Sequence, residues 1–386
     1  MSFLLDGVKE LIRQPEMVVM WGIGGLLIWL ALEKDYEPAL LLPMGFGAIL
    51  VNIPFSGVLN QIQPGIGEVA GAIQWLYEVT IEASEILPLL LFIGIGAMID
   101  FGPLLSNPKM MLFGASAQAG IFFAIGVALA LGFPLNDAAS IGTIGAADGP
   151  TAILVSQVLG SDYVGAISVA AYSYMAMVPL VLPPAIKLVT TKNERRIRMK
   201  NVALNVSKRT RILFPIVVTI VAGLVAPASV ALVGFLMFGN LIRECGCLES
   251  LSRTAQNELA NLITLLLGII VAFNMQGSKF LRFETIMIMA IGLVAFVVDA
   301  MMGVMFGKLL NILSPKDKVN PMIGAAGISA FPMASRVIHK MGLEEDNQNF
   351  LLMNAAASNV SGQIASVVAG GMILSLVPEM LTRLAG

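Results

Sequence analysis

The chain has 386 residues, 57% hydrophobic and 12% charged, with a net charge of -2 and a mean hydropathy of +0.86. That is too apolar for a soluble globular protein, and the near-neutral balance offers nothing to nucleic acid. Apolar runs long enough to approach or cross a ~30 Å hydrocarbon core recur along it, without the alternating segments of a barrel, so helices are the expected spanning elements.

The first residues, MSFLLDGVKELIRQPEMVVM, lack a signal-peptide cleavage pattern, and Leu4, Leu5, Val8 and Leu11 repeat at helical spacing. They predict an interfacial helix leading into the first span. Apolar runs follow near 17-33, 38-58, 86-105, 111-133, 138-158, 164-186, 212-242, 258-275, 284-310, 320-340 and 350-377. Pro227 interrupts the run 212-242, which reads as one kinked span or two short ones. The fold class predicted is an all-α polytopic membrane protein with about ten transmembrane segments.

Within 140-151, SIGTIGAADGPT, three glycines, Pro150 and Asp148 interrupt an apolar run. Glycine permits unusual backbone angles, and proline removes a donor and pushes its predecessor out of helical geometry, so carbonyls are freed there. Irregular backbone survives at membrane depth only when buried in protein or lining a wet cavity. A carboxylate there costs about 2.5 to 3.5 kcal/mol and needs a compensating partner, for which sodium qualifies. Tyr174, in AAYSYMAMVP one span later, offers a hydroxyl for a hydrogen bond or a proton, although a tyrosine of the interfacial belt is equally ordinary.

Nine of the 23 Lys and Arg lie between Lys187 and Arg211, which places that segment on the cytoplasmic side. Cys245 and Cys247, one residue apart and far from the lone His339, make no zinc-ligand set. Asp100 lies near a helix end in GAMIDFGP and reads as structural, whereas Asp299, deep in AFVVDAMMG, is a candidate for an ion or proton path. The segment 320-336, NPMIGAAGISAFPMASR, carries Asn320, Ser329, Ser335 and Arg336, and 354-366, NAAASNVSGQIAS, adds Asn354, Ser358, Asn359, Ser361 and Gln363. One carboxylate with Asn oxygens, a hydroxyl and unwound carbonyls suits a hard monovalent cation. Such amides and hydroxyls also hold helices together. Arg336, a fixed cation near Ser329, points to an anionic substrate, unless it snorkels to the interface.

An internal repeat organises these segments. IGAADGPTAILVSQV (144-158) matches IGAAGISAFPMASRV (323-337), with Ile144, Gly145, Ala146, Ala147, Ser156 and Val158 meeting Ile323, Gly324, Ala325, Ala326, Ser335 and Val337. Upstream, LLLFIGIGAMIDFG (89-102) matches TLLLGIIVAFNMQG (264-277) in the same order. Repeats in membrane carriers are commonly inverted, with the site at the midplane, so two inverted structural repeats with broken or re-entrant helices are expected. The division is 1-85, an interfacial helix and first spans; 86-190, repeat 1; 191-257, the basic cytoplasmic loop and linking span or spans; and 258-386, repeat 2.

GAMIDFGPLLSNPK, GTIGAADGPTAI, the stretch from FGNLIRECG to LSRTAQNEL, and NPMIGAAGISAFPMASR together resemble the beta subunit of the biotin-dependent sodium-pumping decarboxylases, over nearly the whole chain. That family has oxaloacetate, methylmalonyl-CoA, glutaconyl-CoA and malonate members. The resemblance implies an enzyme subunit that decarboxylates carboxybiotin and exports sodium, consuming a proton. It implies that Asp148, Tyr174, Asn320, Gly324, Ser329, Arg336 and Asn359 occupy positions tied to sodium binding or coupling; from the chemistry we expect Asp148, Asn320 and Asn359 to bind sodium, Arg336, Ser329 and Tyr174 to act in catalysis, and Arg336 and Gly324 to bind the biotin. It implies biotin held covalently by a partner and not by this chain, with a biotin carrier, a carboxyltransferase and a small single-span subunit as partners. A homo-oligomer in the inner membrane of a bacterial or archaeal cell is expected. A sodium-coupled symporter for a small organic anion would display the same acid, arginine and broken repeats, and a non-transporting scaffold would tolerate alanine at Asp148 and Asn320.

Overall fold

The computed structural model describes residues 3-34, 38-63, 65, 67-84, 86-199 and 206-385. Helices supply nearly all the regular structure, beginning with Phe3–Arg13; among the described residues the one sheet pairs Gln61–Gln63 with Gly67–Val69 in antiparallel register, Ile62 opposite Glu68. Six helices are long and apolar enough to cross a membrane, or up to eight if two bent pairs each count as one span. The chain is thus a multi-pass helical membrane protein. Leu188, Ile220, Leu224 and Val225 stand exposed on its outer surface, as lipid-facing side chains do.

The sequence predicts about ten; of the runs not in this count, two turn back on themselves and Pro38–Val51 is a shorter apolar helix. Run 138-158 folds as helix Leu135–Gly142, a 3-10 turn Thr143–Ala146 and helix Gly149–Val158. Ala147 takes a left-handed conformation (φ 51°) between them. A β-carbon resists that region, so the reversal is specific. Run 320-340 folds as a 3-10 segment Pro321–Gly327 followed by a short non-helical stretch and helix Met333–Glu345. We refer to these as the first and second hairpins.

The hairpins enter from opposite ends of the molecule. The base of the first is tied by Asp137, which accepts from the Ser161 hydroxyl at 2.6 Å and the Asp162 N–H at 3.1 Å. The base of the second is tied to the basic segment: Asn320 donates to the carbonyls of Arg195 and Ile197, and Arg195 pairs with Glu345 at 2.6 Å. Helix Phe283–Leu313 connects the two ends. Its 31 residues span roughly 46 Å at ~1.5 Å per residue. Near its start, Arg282 and Thr285 share a cavity with Tyr163, and near its finish Lys308 pairs with Glu194 at 3.1 Å. The tips meet inside, where the Ser329 N–H donates to the Ala146 carbonyl at 3.0 Å.

Close backbone approach locks this arrangement. Gly324 of the second hairpin lies against the backbone of Gly303, and each would drive a β-carbon into the other's carbonyl. Gly149 lies under the Tyr172 ring, where a β-carbon would stand 2.6 Å from two ring carbons. The small residues that the sequence repeats are therefore contact surfaces.

Candidate functional site

Asp148 caps the helix Gly149–Val158 at the tip of the first hairpin and is buried, 4% exposed. One carboxylate oxygen accepts from the Thr151 hydroxyl and the Ser366 hydroxyl, both at 2.8 Å; the other accepts from the Thr151 N–H at 3.4 Å. The helix N-terminus favours the negative charge, and the hydroxyls can rotate to present oxygen to a cation. Among the described residues Asp148 has no ion-pair partner.

Amides from neighbouring helices surround the second tip. Asn359 donates to the carbonyls of Ala326 (3.1 Å) and Ile328 (2.7 Å), Gln118 to those of Gly114 (3.0 Å) and Gly327 (3.5 Å), and Gln363 to that of Ser329. Every NH2 group thus faces carbonyls, so each amide oxygen points away, and among the described residues all three oxygens are buried without a partner. Unpaired buried acceptors are costly, and a cation satisfies them. The Ser329 hydroxyl donates to Gly362 at 3.1 Å.

A cavity of about 270 Å³ lies where the tips meet, lined by Asp148, Tyr172, Asn261, Thr264, Ser329, Arg336 and Gln363 together with apolar side chains. Arg336 is exposed, so its guanidinium combines reach into the cavity with access to the outside. A larger cavity of about 950 Å³ lies at the first hairpin's base, lined by Glu82, Asp162, Tyr163, Lys279 and Arg282. Size does not make it the reaction site. The smaller one brings a buried carboxylate, a permanent cation and polar groups onto one volume, the combination expected of a candidate site.

The expected site residues separate into two groups. Asp148, Ser329 and Arg336 line one cavity. Asn359 is bonded to the Ala326 and Ile328 carbonyls of the second tip and is not among the lining residues of the cavity. Asn320 stands at the hairpin's base, with both amide hydrogens donated and its oxygen accepting from the Met322 N–H at 3.0 Å. Gly324 packs on Gly303. Tyr174 lies outside the cavity lining, its hydroxyl donating to the Met289 carbonyl, while Tyr172, two residues earlier, enters the cavity with its hydroxyl unpartnered. Two residues are about 200° apart around a helix, so only one tyrosine can face the tip. Tyr172, Asn261 and Thr264 are the polar lining groups that the sequence did not single out, whereas Gln363 stood among the amides of 354-366; polar character at the right helical phase was the only signal the three carried.

The family model described as the Na+-transporting oxaloacetate decarboxylase beta subunit matches residues 16-377. The chain is 42% identical to the oxaloacetate decarboxylase beta chain of Klebsiella pneumoniae, covering 98% of this chain and 99% of that one. It is 44% identical to the methylmalonyl-CoA decarboxylase subunit beta of Propionigenium modestum, with 93% and 94% covered. To the glutaconyl-CoA decarboxylase subunit beta of Acidaminococcus fermentans it is 46% identical, with 93% and 92% covered.

Proposed function

The chain belongs to the beta-subunit family of the sodium-transporting decarboxylases, and from that premise we propose that it decarboxylates carboxybiotin presented by a partner subunit and couples the reaction to sodium export across the cell membrane. What supports this most is the joint presence of Asp148, Ser329 and Arg336 on one cavity where two broken hairpins meet. In this reading Arg336 holds the carboxylate of carboxybiotin. The nitrogen–carbon bond breaks, carbon dioxide leaves, and the ureido nitrogen takes a proton. A site that excludes water favours the step, because charge spreads from the carboxylate into the ring. Ser329 or Tyr172 is placed to pass the proton as a positioned acid. Tyr174, bonded to Met289, fixes the helix that carries Tyr172.

Sodium, the cargo, sits between Asp148 and the amide oxygens of Gln363 and Asn359, with the Ser366 and Thr151 hydroxyls completing an oxygen shell. Asn320 serves this site at a distance, by fixing the hairpin's base to the basic segment. The hairpins are read as the cores of two inverted repeats, within 86-190 and 258-386, whose tips alternate access to the two sides. A biotin carrier, a carboxyltransferase and a small single-span subunit are the partners this requires, and more than one copy of the chain is expected in the assembly.

Two variants separate the roles. Arg336→Ala should lose carboxybiotin decarboxylation at every sodium concentration, whereas Asp148→Asn should lose only the stimulation by sodium. Full activity in Arg336→Ala, or intact sodium stimulation in Asp148→Asn, would contradict the assignment. Accumulation of a small organic anion without release of carbon dioxide would instead select the symporter.

A further inference from the structure

Asp299 is fully buried in the middle of helix Phe283–Leu313, outside the cavity just described. One carboxyl oxygen accepts the N–H of Gly120, in the first turn of the 12-residue helix Ala119–Ala130. The other has no hydrogen-bond partner and lies against Gly145 of the first hairpin's 3-10 turn, where a β-carbon would stand 2.9 Å from it and 3.0 Å from the Ala295 methyl. The carboxyl is therefore wedged between Gly120 and Gly145, the latter three residues before Asp148 in the first hairpin.

Among the described residues, no opposite charge faces it. Of the elements packed on its helix, Ala119–Ala130, Thr143–Ala146, Pro321–Gly327 and Met111–Ser116 carry no titratable group. On Leu135–Gly142, Asp137 is turned to Ser161 and Asp162 at the base. On Val164–Val189, Tyr172 lines the cavity, Tyr174 bonds Met289 and Lys187 is exposed; on Asp299's own helix, Glu284 is exposed and Lys308 pairs with Glu194. An isolated carboxylate without a partner is far too costly to bury, so a monovalent cation must neutralise it.

We propose that Asp299 is a second cation site, one that takes a proton where Asp148 takes sodium. The donor sets divide the labour. Asp148 has two hydroxyls and a neighbouring free amide oxygen, which a hard cation can use. Asp299 has a backbone N–H on one oxygen and Gly145 with Ala295 beside the other, groups that offer sodium no side-chain oxygen. The proton comes from water and returns to water, and no bond between heavy atoms changes. Loss of that proton leaves an uncompensated charge against Gly145, so the occupancy of Asp299 is felt at the hairpin tip. The use of this proton in transport rests on the proposed function; its presence does not.

The test is infrared spectroscopy of the assembled complex in lipid vesicles at pH 7 and saturating sodium, in light and heavy water. The wild type should show the carbonyl stretch of a neutral carboxylic acid. Asp148→Asn should keep it and Asp299→Asn should lose it. An unchanged band in Asp299→Asn overturns the proposal, because Asp299 would then be ionised. Asn retains an acceptor for the Gly120 N–H; should that variant fail to fold, Asp299→Glu must shift the band, and a band unmoved in Glu overturns the proposal equally. Failure of the Asp148 reading looks different: adding sodium would leave the wild-type spectrum unchanged while the band still depends on Asp299.

Discussion

Asp148 is buried without a counter-charge, yet two hydroxyls and the N-terminus of a ten-residue helix face it. Each hydroxyl is a hydrogen bond to a charged group, worth roughly 1.5 to 3 kcal/mol. Ser366→Ala should therefore weaken sodium binding by roughly tenfold or more, read as the sodium concentration for half-maximal decarboxylation. Thr151→Val should do the same. The two tyrosines give a sharper contrast. Tyr172→Phe should lower the rate of decarboxylation at saturating sodium, whereas Tyr174→Phe, which loses one bond to Met289, should act mainly on thermal stability. Equal effects on rate would show that cavity placement does not decide which hydroxyl acts. Asp148 and Arg336 were legible in the sequence because charge inside an apolar run needs a reason. The choice between Tyr172 and Tyr174 was not, because it depends on how the helix is rotated, and an apolar helix buried on several sides leaves no stripe to read.

At the scale of elements, the two hairpins were visible as interrupted runs: glycine and proline within 140-151 and 320-336 forbid a continuous helix. Hydropathy counts them as spans all the same, since it measures apolar length and not direction. The glycines that the repeat aligns have a structural use, with Gly324 meeting the backbone of Gly303. Gly324→Ala should cost about 1 to 3 kcal/mol by overpacking, seen as a lower unfolding temperature in detergent. Asn320 looked like a ligand by residue type, but backbone carbonyls of a distant segment take its amide, a contact with no local signature. The base it secures is also held by ion pairs outside the membrane. The hydrogen bond from the Arg195 guanidinium, aided by its charge, holds the Glu345 carboxyl below its usual range, and Arg198, with the Gln348 N–H, does the same for Asp346. A lowered folded-state value means stability that is present above the ordinary carboxylate range and lost as pH falls through the lowered values. Proteolysis of the segment 190-199 should therefore be slow at neutral pH and accelerate in acid. Glu345→Gln should already cleave faster at pH 7, with the difference shrinking as pH drops.

For the whole molecule, composition was enough to read the solvent, and the basic segment enough to read which end gathers positive charge. The contact between the two tips was out of reach, because it joins Ala146 to Ser329 across nearly half the chain. Geometry supplies the rest of the account: one end reaches Arg336 and the cavity, the other opens the larger cavity at the first hairpin's base, and Asp148 lies at the meeting point of the tips. Under the proposed function, a carboxylate so placed would answer to both sides in turn. The direct measurement is carbon dioxide release from a carboxylated biotin carrier by the complex reconstituted in vesicles, followed against sodium concentration together with sodium uptake. Release that rises with sodium, accompanied by transport, and the loss of both dependences in Asp148→Asn, is the result predicted; release indifferent to sodium in the wild type would contradict it.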